Sequence, residues 1–161
     1  MILRISNKLA GKIKEKPEKI YPIHANPFVD WSLHLFYVDR ISYILITNTL
    51  TKFSFIIYGK GIKDSCSLTE NVITQMRDFM FENNFAEIFE KKIGPETKEI
   101  IFSKNLDRSV VGCMNELIFA AKCDLGIKRL SPGIASTRLN QMIVKQNIPL
   151  QVFIKLAEAG R

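Results

Sequence analysis

Three polar residues of the types found in catalytic sites lie two positions apart: Asp30, Ser32 and His34. Because successive side chains of a β-strand point to opposite faces, a strand that begins at Asp30 would place all three on one face. A histidine beside a carboxylate can act as a general base, and His24 could supply the partner acid. This set predicts a small ribonuclease or toxin-like enzyme, and the alternative is an ordinary polar sheet face.

A second polar set has helical spacing. Arg108, Gly112 and Asn115 follow i, i+4 and i+7, so they share one stripe of a helix, with Ser109 next to it. An arginine beside the free amide donors of a first helical turn could bind a phosphate or a carboxylate. We therefore predict these four residues as ligand-binding. In the structural alternative, Arg108 ties down a loop through main-chain carbonyls and a strand packs closely on Gly112.

The chain shows no metal-binding or named catalytic motif. Cys66, Cys113 and Cys123 have irregular spacing and form no Cys-x-x-Cys pair, which fits neither a disulfide framework nor a zinc site. The metalloprotease, nucleophile-elbow and phosphate-loop patterns are also missing. We expect reduced structural thiols, no metal and no cofactor.

The positive charge is concentrated at the two ends of the chain. Residues 1–19 hold six Lys or Arg against two Glu, and residues 122–161 hold seven against two acids, while the whole chain carries +7. If the ends meet in the fold, they form a basic face for nucleic acid. The predicted contacts are Lys8, Lys12, Lys14, Lys128 and Arg129, and the alternative is a solvated lysine-rich surface.

The elements that must position these residues can be read from hydrophobic spacing and turn signals. Three apolar segments separated by short connections predict an antiparallel meander. A capping box at Ser67 and Glu70 predicts the start of a helix, and Pro149 suits the first position of the last one. The predicted strands are 2–5, 31–38, 41–47, 52–58 and 98–103, and the predicted helices are 7–14, 68–83, 85–92, 109–123, 134–146 and 149–158. Ser6 is the expected cap of the first helix, and Asp107 or Ser109 that of the fourth.

This order of elements predicts one α+β domain over residues 1–161, an antiparallel sheet with helices packed against it. Trp31, the single tryptophan, is expected to anchor the core rather than to bind a partner. No apolar run approaches the roughly 20 residues that span a bilayer, and the first residues lack a secretory signal. We therefore expect a cytoplasmic protein without membrane contact.

Several segments resemble an uncharacterised bacterial family known only as a domain of unknown function. They include Met1, Arg4 and Lys8 at the start, the Asp30-Trp31 step, Asp39-Arg40 after Phe36, the stretch YILITN at 43–48, and RSVVGCMN at 108–115, with weaker likeness near Asn140 and Pro149. Cys113 stands where a small residue such as serine is expected. The resemblance implies that Arg108, Ser109, Gly112 and Asn115 belong to the family motif. It also points to a mobile-element or defence-related accessory protein, such as a toxin–antitoxin component.

Three functional hypotheses follow. The first is a non-enzymatic binding or regulatory accessory that contacts nucleic acid through the basic ends. The second is a protein-interaction module whose partner covers an apolar surface near Trp31 or the last helix. The third is a small ribonuclease or toxin-like enzyme that uses His34 with Asp30 or Arg108. The partner is accordingly nucleic acid or another protein, and the oligomeric state stays open.

Overall fold

The computed structural model describes residues 1–106 and 108–159. Within these residues, five strands form a single mixed sheet flanked by helices, so the predicted α+β class is confirmed. The strands are β1 (Ile2–Ile5), β2 (Asp30–Val38), β3 (Ile41–Asn48), β4 (Ser54–Tyr58) and β5 (Ile101–Ser103). The helices are α1 (Asn7–Ile13), α2 (Ser65–Glu82), α3 (Ala86–Ile88), α4 (Arg108–Lys122), α5 (Pro132–Leu139) and α6 (Pro149–Ala159).

The sheet has the order β4-β3-β2-β1-β5. The antiparallel meander β2–β3–β4 is confirmed, because tight connections between the strands allow only that pairing. The prediction of an antiparallel sheet is wrong for β1, which lies parallel to both β2 and β5. Residues 6–29 separate β1 from β2, and such a long connection permits a parallel crossover.

The sheet carries a hydrophobic core on each face. On one face Leu33, Ile46 and Phe55 pack with α1, α2 and α6. On the other face Leu45 and Ile56 pack with α4 and α5. The two sets alternate along the strands, as the period of two requires.

Trp31 is fully buried in the first core, and its indole N–H donates to the Phe28 carbonyl at 2.8 Å. This satisfied, buried indole fits the core-anchor prediction.

The long connection after α1 is hydrogen-bonded to the carboxyl end of β5. The Lys104 amide donates to the Lys19 carbonyl at 3.1 Å, and the Tyr21 amide donates to Ser103 Oγ at 3.1 Å. The same path brings residues 21–22 under the sheet face that carries Arg4.

Several helix boundaries differ from those that local sequence signals predicted. The N-cap of α2 is Asp64, whose carboxylate accepts from the Ser67 amide at 2.8 Å, so Ser67 is the third helical residue rather than the cap. Ser109 lies inside α4, and Asp107, the other expected cap, lies outside the described residues. The helix predicted over 134–146 ends at Leu139, whereas Ser6 caps α1 as expected.

Among the described residues, no helix has the length and apolar character that crossing a membrane requires.

Candidate functional site

The predicted Asp30 site is built around a residue that the sequence analysis did not single out. Arg4 lies on β1 beside Ser32 and is fully buried. Its Nε and Nη2 donate to the two carboxylate oxygens of Asp30, each at 2.7 Å. The remaining N–H groups donate to the carbonyls of Tyr21 (2.8 Å) and Pro22 (3.0 Å) and to Ser103 Oγ (3.3 Å).

All five guanidinium donors of Arg4 therefore have a partner, and both oxygens of Asp30 are occupied. Asp30 also accepts from the backbone amide of His24 at 3.0 Å. A carboxylate held by a bidentate arginine inside the protein is a structural group, because it has no free oxygen for a substrate or a histidine. The signal for this pair was an arginine in an otherwise apolar strand, since a buried arginine needs an anionic partner.

Asp30, Ser32 and His34 do share one face of β2, as their spacing predicts, but the first two are not solvated. Ser32 is fully buried and its hydroxyl bonds to that of Thr49 at 2.9 Å. A similar hydroxyl pair, Thr47 with Ser54, continues across the sheet at 2.9 Å. This face is thus a buried, mutually bonded polar row rather than a polar surface in water.

His34 stands apart from the other two residues. Burial lowers the pKa of its imidazole, and the nearby Lys8 ammonium lowers it further. Its Nδ1 is buried and has no hydrogen-bond partner among the described residues, a condition shared by Oδ1 of Asn105. His24 is engaged elsewhere, because its Nδ1 accepts from the Asn26 amide at 3.0 Å. The two histidines and Asp30 therefore do not form an acid–base set in this structure.

The stripe predicted from residue 108 lies on the exposed side of α4. Arg108, Ser109, Gly112 and Asn115 are all exposed, and the Lys145 ammonium donates to the Ser109 hydroxyl. Within the described residues Arg108 has no hydrogen bond or ion pair, and no atom lies within 4 Å of a Cβ added at Gly112. Neither contact of the structural alternative, a loop tied by Arg108 or a strand on Gly112, is present there.

Sequence analysis missed the apolar residue on this same stripe. Phe119 follows Asn115 by one turn and is 74% exposed. The signal was available, because residue 119 continues the i, i+4, i+7 pattern of Arg108, Gly112 and Asn115 to i+11. The outer side of α4 thus presents an arginine, an open backbone position, an amide and an aromatic ring.

The two basic ends of the chain reach the same hairpin. Lys8 Nζ lies 4.6 Å from the ring centre of Tyr37, near the end of β2. Arg129 Nη1 donates to Asp39 Oδ2 at 2.9 Å, in the turn between β2 and β3. Lys128 is paired with Asp124 at 2.7 Å, whereas Lys12 and Lys14 end α1 without an ion pair to the described residues.

Asp124 is the acidic residue that neutralises part of the positive charge in this region. Burial by itself would raise the pKa of its carboxyl, but hydrogen bonds from Lys128 and Arg138 outweigh that effect and hold the pKa below its usual value. The carboxylate is therefore charged and doubly paired, and it removes part of the free positive charge near Lys128.

A comparison with family models found one described as Domain of unknown function (DUF6933), which matches residues 2–151. The chain belongs to this family. No curated protein and no solved structure matches it.

The DUF6933 match covers the five strands, the helices up to α5 and the start of α6. Every candidate residue discussed above therefore lies inside the matched region. In the described part of this DUF6933 chain, no group of three or more His, Cys, Asp or Glu side chains could hold a metal ion.

Proposed function

We propose that this DUF6933 protein is a non-enzymatic accessory that binds nucleic acid at the end of the β2–β3 hairpin. The observation that supports the proposal is the pair of contacts Lys8–Tyr37 and Arg129–Asp39, because a cation from each basic end contacts the same hairpin at positions two residues apart. We call Lys8, Lys12, Tyr37, Arg40 and Arg129 the hairpin surface. Its cations suit phosphates, which dominate the affinity of proteins for nucleic acid.

The hairpin surface also offers an aromatic ring. Tyr37 is 42% exposed, so part of its side chain is available to a base. Stacking of bases on aromatic side chains beside a basic groove is the usual way to hold single strands without reading sequence. The surface therefore favours single-stranded RNA or DNA over a duplex.

The ion pair at Arg129 does not remove this residue from the surface. Arg129 and Asp39 are both largely exposed, and exposed pairs contribute about 0–1 kcal/mol. A phosphate can therefore compete with Asp39 for the guanidinium. Lys128 is a weaker candidate, because its partner Asp124 is buried and fixed.

The ribonuclease alternative has less geometric support. Asp30 is occupied by Arg4, His34 lacks an acid partner among the described residues, and Arg108 is exposed on the outside of α4. An accessory role in mobile elements or defence stays a prediction from the family resemblance.

A protein-interaction module is the second candidate, and a partner at the last helix stays a prediction. Trp31 is buried, so it offers no surface to a partner. The outer side of α4 is the better location, because Phe119 is exposed beside the open backbone of Gly112.

The test is fluorescence anisotropy with labelled single- and double-stranded RNA and DNA at about 50 and 200 mM salt. The double charge reversal Lys8→Glu with Arg129→Glu should weaken binding of single strands roughly tenfold or more at low salt. The matched control, Lys98→Glu with Lys155→Glu, makes the same charge change at exposed lysines away from the hairpin.

An equal loss of nucleic-acid affinity in both double variants would mean that only net charge matters. That result would rule out the hairpin surface as the binding site. Cleavage of the probe by the wild type would replace the binding proposal with the ribonuclease. No binding at 50 mM salt would direct the search to a protein partner on α4.

A further inference from the structure

A groove of about 460 Å³ opens beside α1, apart from the hairpin surface. Its lining includes Ile5 at the end of β1, Ala10 and Gly11 in α1, residues 14–17, and Lys104, which directly follows β5. β1 and β5 are adjacent and parallel. The groove therefore lies where two paired parallel strands end at their carboxyl termini.

The chain leaves these two strands toward opposite faces of the sheet. After β1 it forms α1, which packs with α2 and α6, and after β5 it continues to α4 on the other face. Where neighbouring parallel strands continue to opposite faces, a crevice opens between the departing segments. Open α/β sheets characteristically bind ligands in such a crevice, and the β1–β5 pair reproduces that local arrangement within a mixed sheet.

The chemistry of the groove favours an anion with an apolar part. Lys14, Lys16 and Lys104 are exposed on its rim, and none forms an ion pair with another described residue. Ile5 and Pro17 add apolar surface. Glu15 supplies the acidic side chain of the described lining, so three ammonium groups face one carboxylate.

Two residues of the groove occupy backbone conformations that are unfavourable for their residue types. Gly11 occupies the interior of α1, where alanine is more favourable, and no described atom lies within 4 Å of a Cβ added there. Lys14 ends α1 in the left-handed conformation with φ 60°, where glycine is less strained. Seven other described non-glycine residues also have a positive φ, but at this groove the left-handed Lys14 lies one helical turn from an unfavourable helix glycine.

We propose that this groove binds a nucleoside phosphate. We call the apolar surface next to Gly11 the floor of the groove. The planar base lies on this floor, in the space that a side chain at position 11 would fill. The phosphates bind the ammonium groups of Lys14, Lys16 and Lys104. Because none of these residues belongs to the hairpin surface, the site does not depend on nucleic-acid binding there.

The first test is isothermal titration calorimetry with ADP, adenosine and inorganic phosphate. The wild type should bind ADP at least tenfold more tightly than either fragment, because only ADP uses both the floor and the rim. Gly11→Trp fills the floor and should weaken ADP binding at least tenfold. Gly133→Trp is the matched control, because it makes the same change at an open helix glycine of α5 and should bind ADP like the wild type.

A second pair of variants separates binding from folding. Gly11→Ala and Lys14→Gly remove the two unfavourable choices and should each raise Tm by about 2–4 °C. Lys14→Gly should nevertheless weaken ADP binding, since it deletes one ammonium group. Stabilisation without any loss of ADP affinity would overturn the assignment of Lys14.

Further outcomes would overturn the proposal or identify the source of the nucleoside phosphate. Absence of ADP binding at millimolar concentration, or undiminished binding by Gly11→Trp, would overturn the proposal. A 5′-phosphorylated RNA that displaces ADP when its unphosphorylated counterpart does not would identify the strand end as the source of the nucleoside phosphate. Displacement by neither would identify the free nucleotide. Retention of ADP binding by Lys8→Glu would show that the groove works without the hairpin surface.

Discussion

The guanidinium of Arg4 connects parts of the chain that are distant in sequence. It bonds to Asp30 at the start of β2, to carbonyls of the 21–22 segment and to Ser103 at the end of β5. Desolvating such a charge pair is costly, so the pair does not itself make the protein unusually stable. Its effect is to specify one path for the connection between α1 and β2.

Removing one partner of this pair should be strongly destabilising. Arg4→Leu leaves the Asp30 carboxylate buried without a counter-charge, and we expect a loss of about 3–5 kcal/mol in the free energy of unfolding, measured in urea. The double variant Arg4→Leu with Asp30→Leu should recover part of that loss. Arg77→Leu, at the exposed pair with Asp78, is the control and should cost less than about 1 kcal/mol. A small effect of Arg4→Leu would contradict a fixed buried pair.

His34 should make the protein less stable in mild acid. Its pKa in the folded protein lies below the ordinary 6.5, because burial and then Lys8 disfavour the charged form. The unfolded chain therefore takes up the proton first, and stability present above pH 6.5 decreases as the pH falls below it. We expect Tm measured from pH 7.5 to 5.5 to fall less in His34→Gln than in the wild type. An unchanged slope would assign the pH dependence to other groups.

At the scale of elements, the start of α2 allows a test of the observed N-cap, Asp64, against the expected one, Ser67. Asp64 accepts from the Ser67 amide, and this bond lowers the pKa of the carboxyl, as does the Ser67 hydroxyl. Asp64→Ala should therefore lower Tm by about 2–4 °C. Glu70→Ala, which would remove the capping box expected from sequence, should change Tm much less. The opposite ranking would restore Ser67 as the cap.

Elements set by short-range signals could be predicted from the sequence, and those set by distant pairing could not. The β2–β3–β4 meander and Ser6 as the cap of α1 depend on neighbouring residues, so alternation, turn residues and capping chemistry reveal them. The parallel alignment of β1 with β2 and β5 depends on where residues 6–29 lead the chain. No local pattern encodes that path.

The same distinction holds for the candidate sites. Spacing correctly predicted one shared face for Asp30, Ser32 and His34 and one shared helical stripe for Arg108, Gly112 and Asn115, whose exposure the structure adds. Burial of the β2 face could not be read from spacing, because it depends on residues as distant as Tyr21 and Ser103. Phe119 was missed because an apolar residue on a helix is usually assigned to the core.

At the scale of the whole molecule, the fold determines where the basic residues of the two chain ends lie on the surface. The N-terminal basic segment touches the end of β2 through Lys8, and the C-terminal one touches the adjoining turn through Arg129. Lys14, Lys16 and Lys104 face the groove instead. Under the two proposals, the net charge of +7 is divided between two separate binding surfaces, which should respond differently to salt and to substitution.

The proposed binding of nucleic acid at the hairpin surface predicts a salt dependence that counts the phosphate contacts. For single strands, the logarithm of the binding constant falls with the logarithm of salt concentration, with a slope of about −0.7 for each phosphate contacted. Lys8→Gln should reduce the magnitude of that slope by about one contact, because it deletes a single cation. Lys98→Gln removes the same charge away from the hairpin and should leave the slope unchanged. Anisotropy titrations at four salt concentrations measure both slopes, and equal changes in the two variants would contradict a localised nucleic-acid surface, because a diffuse field responds to net charge wherever it lies.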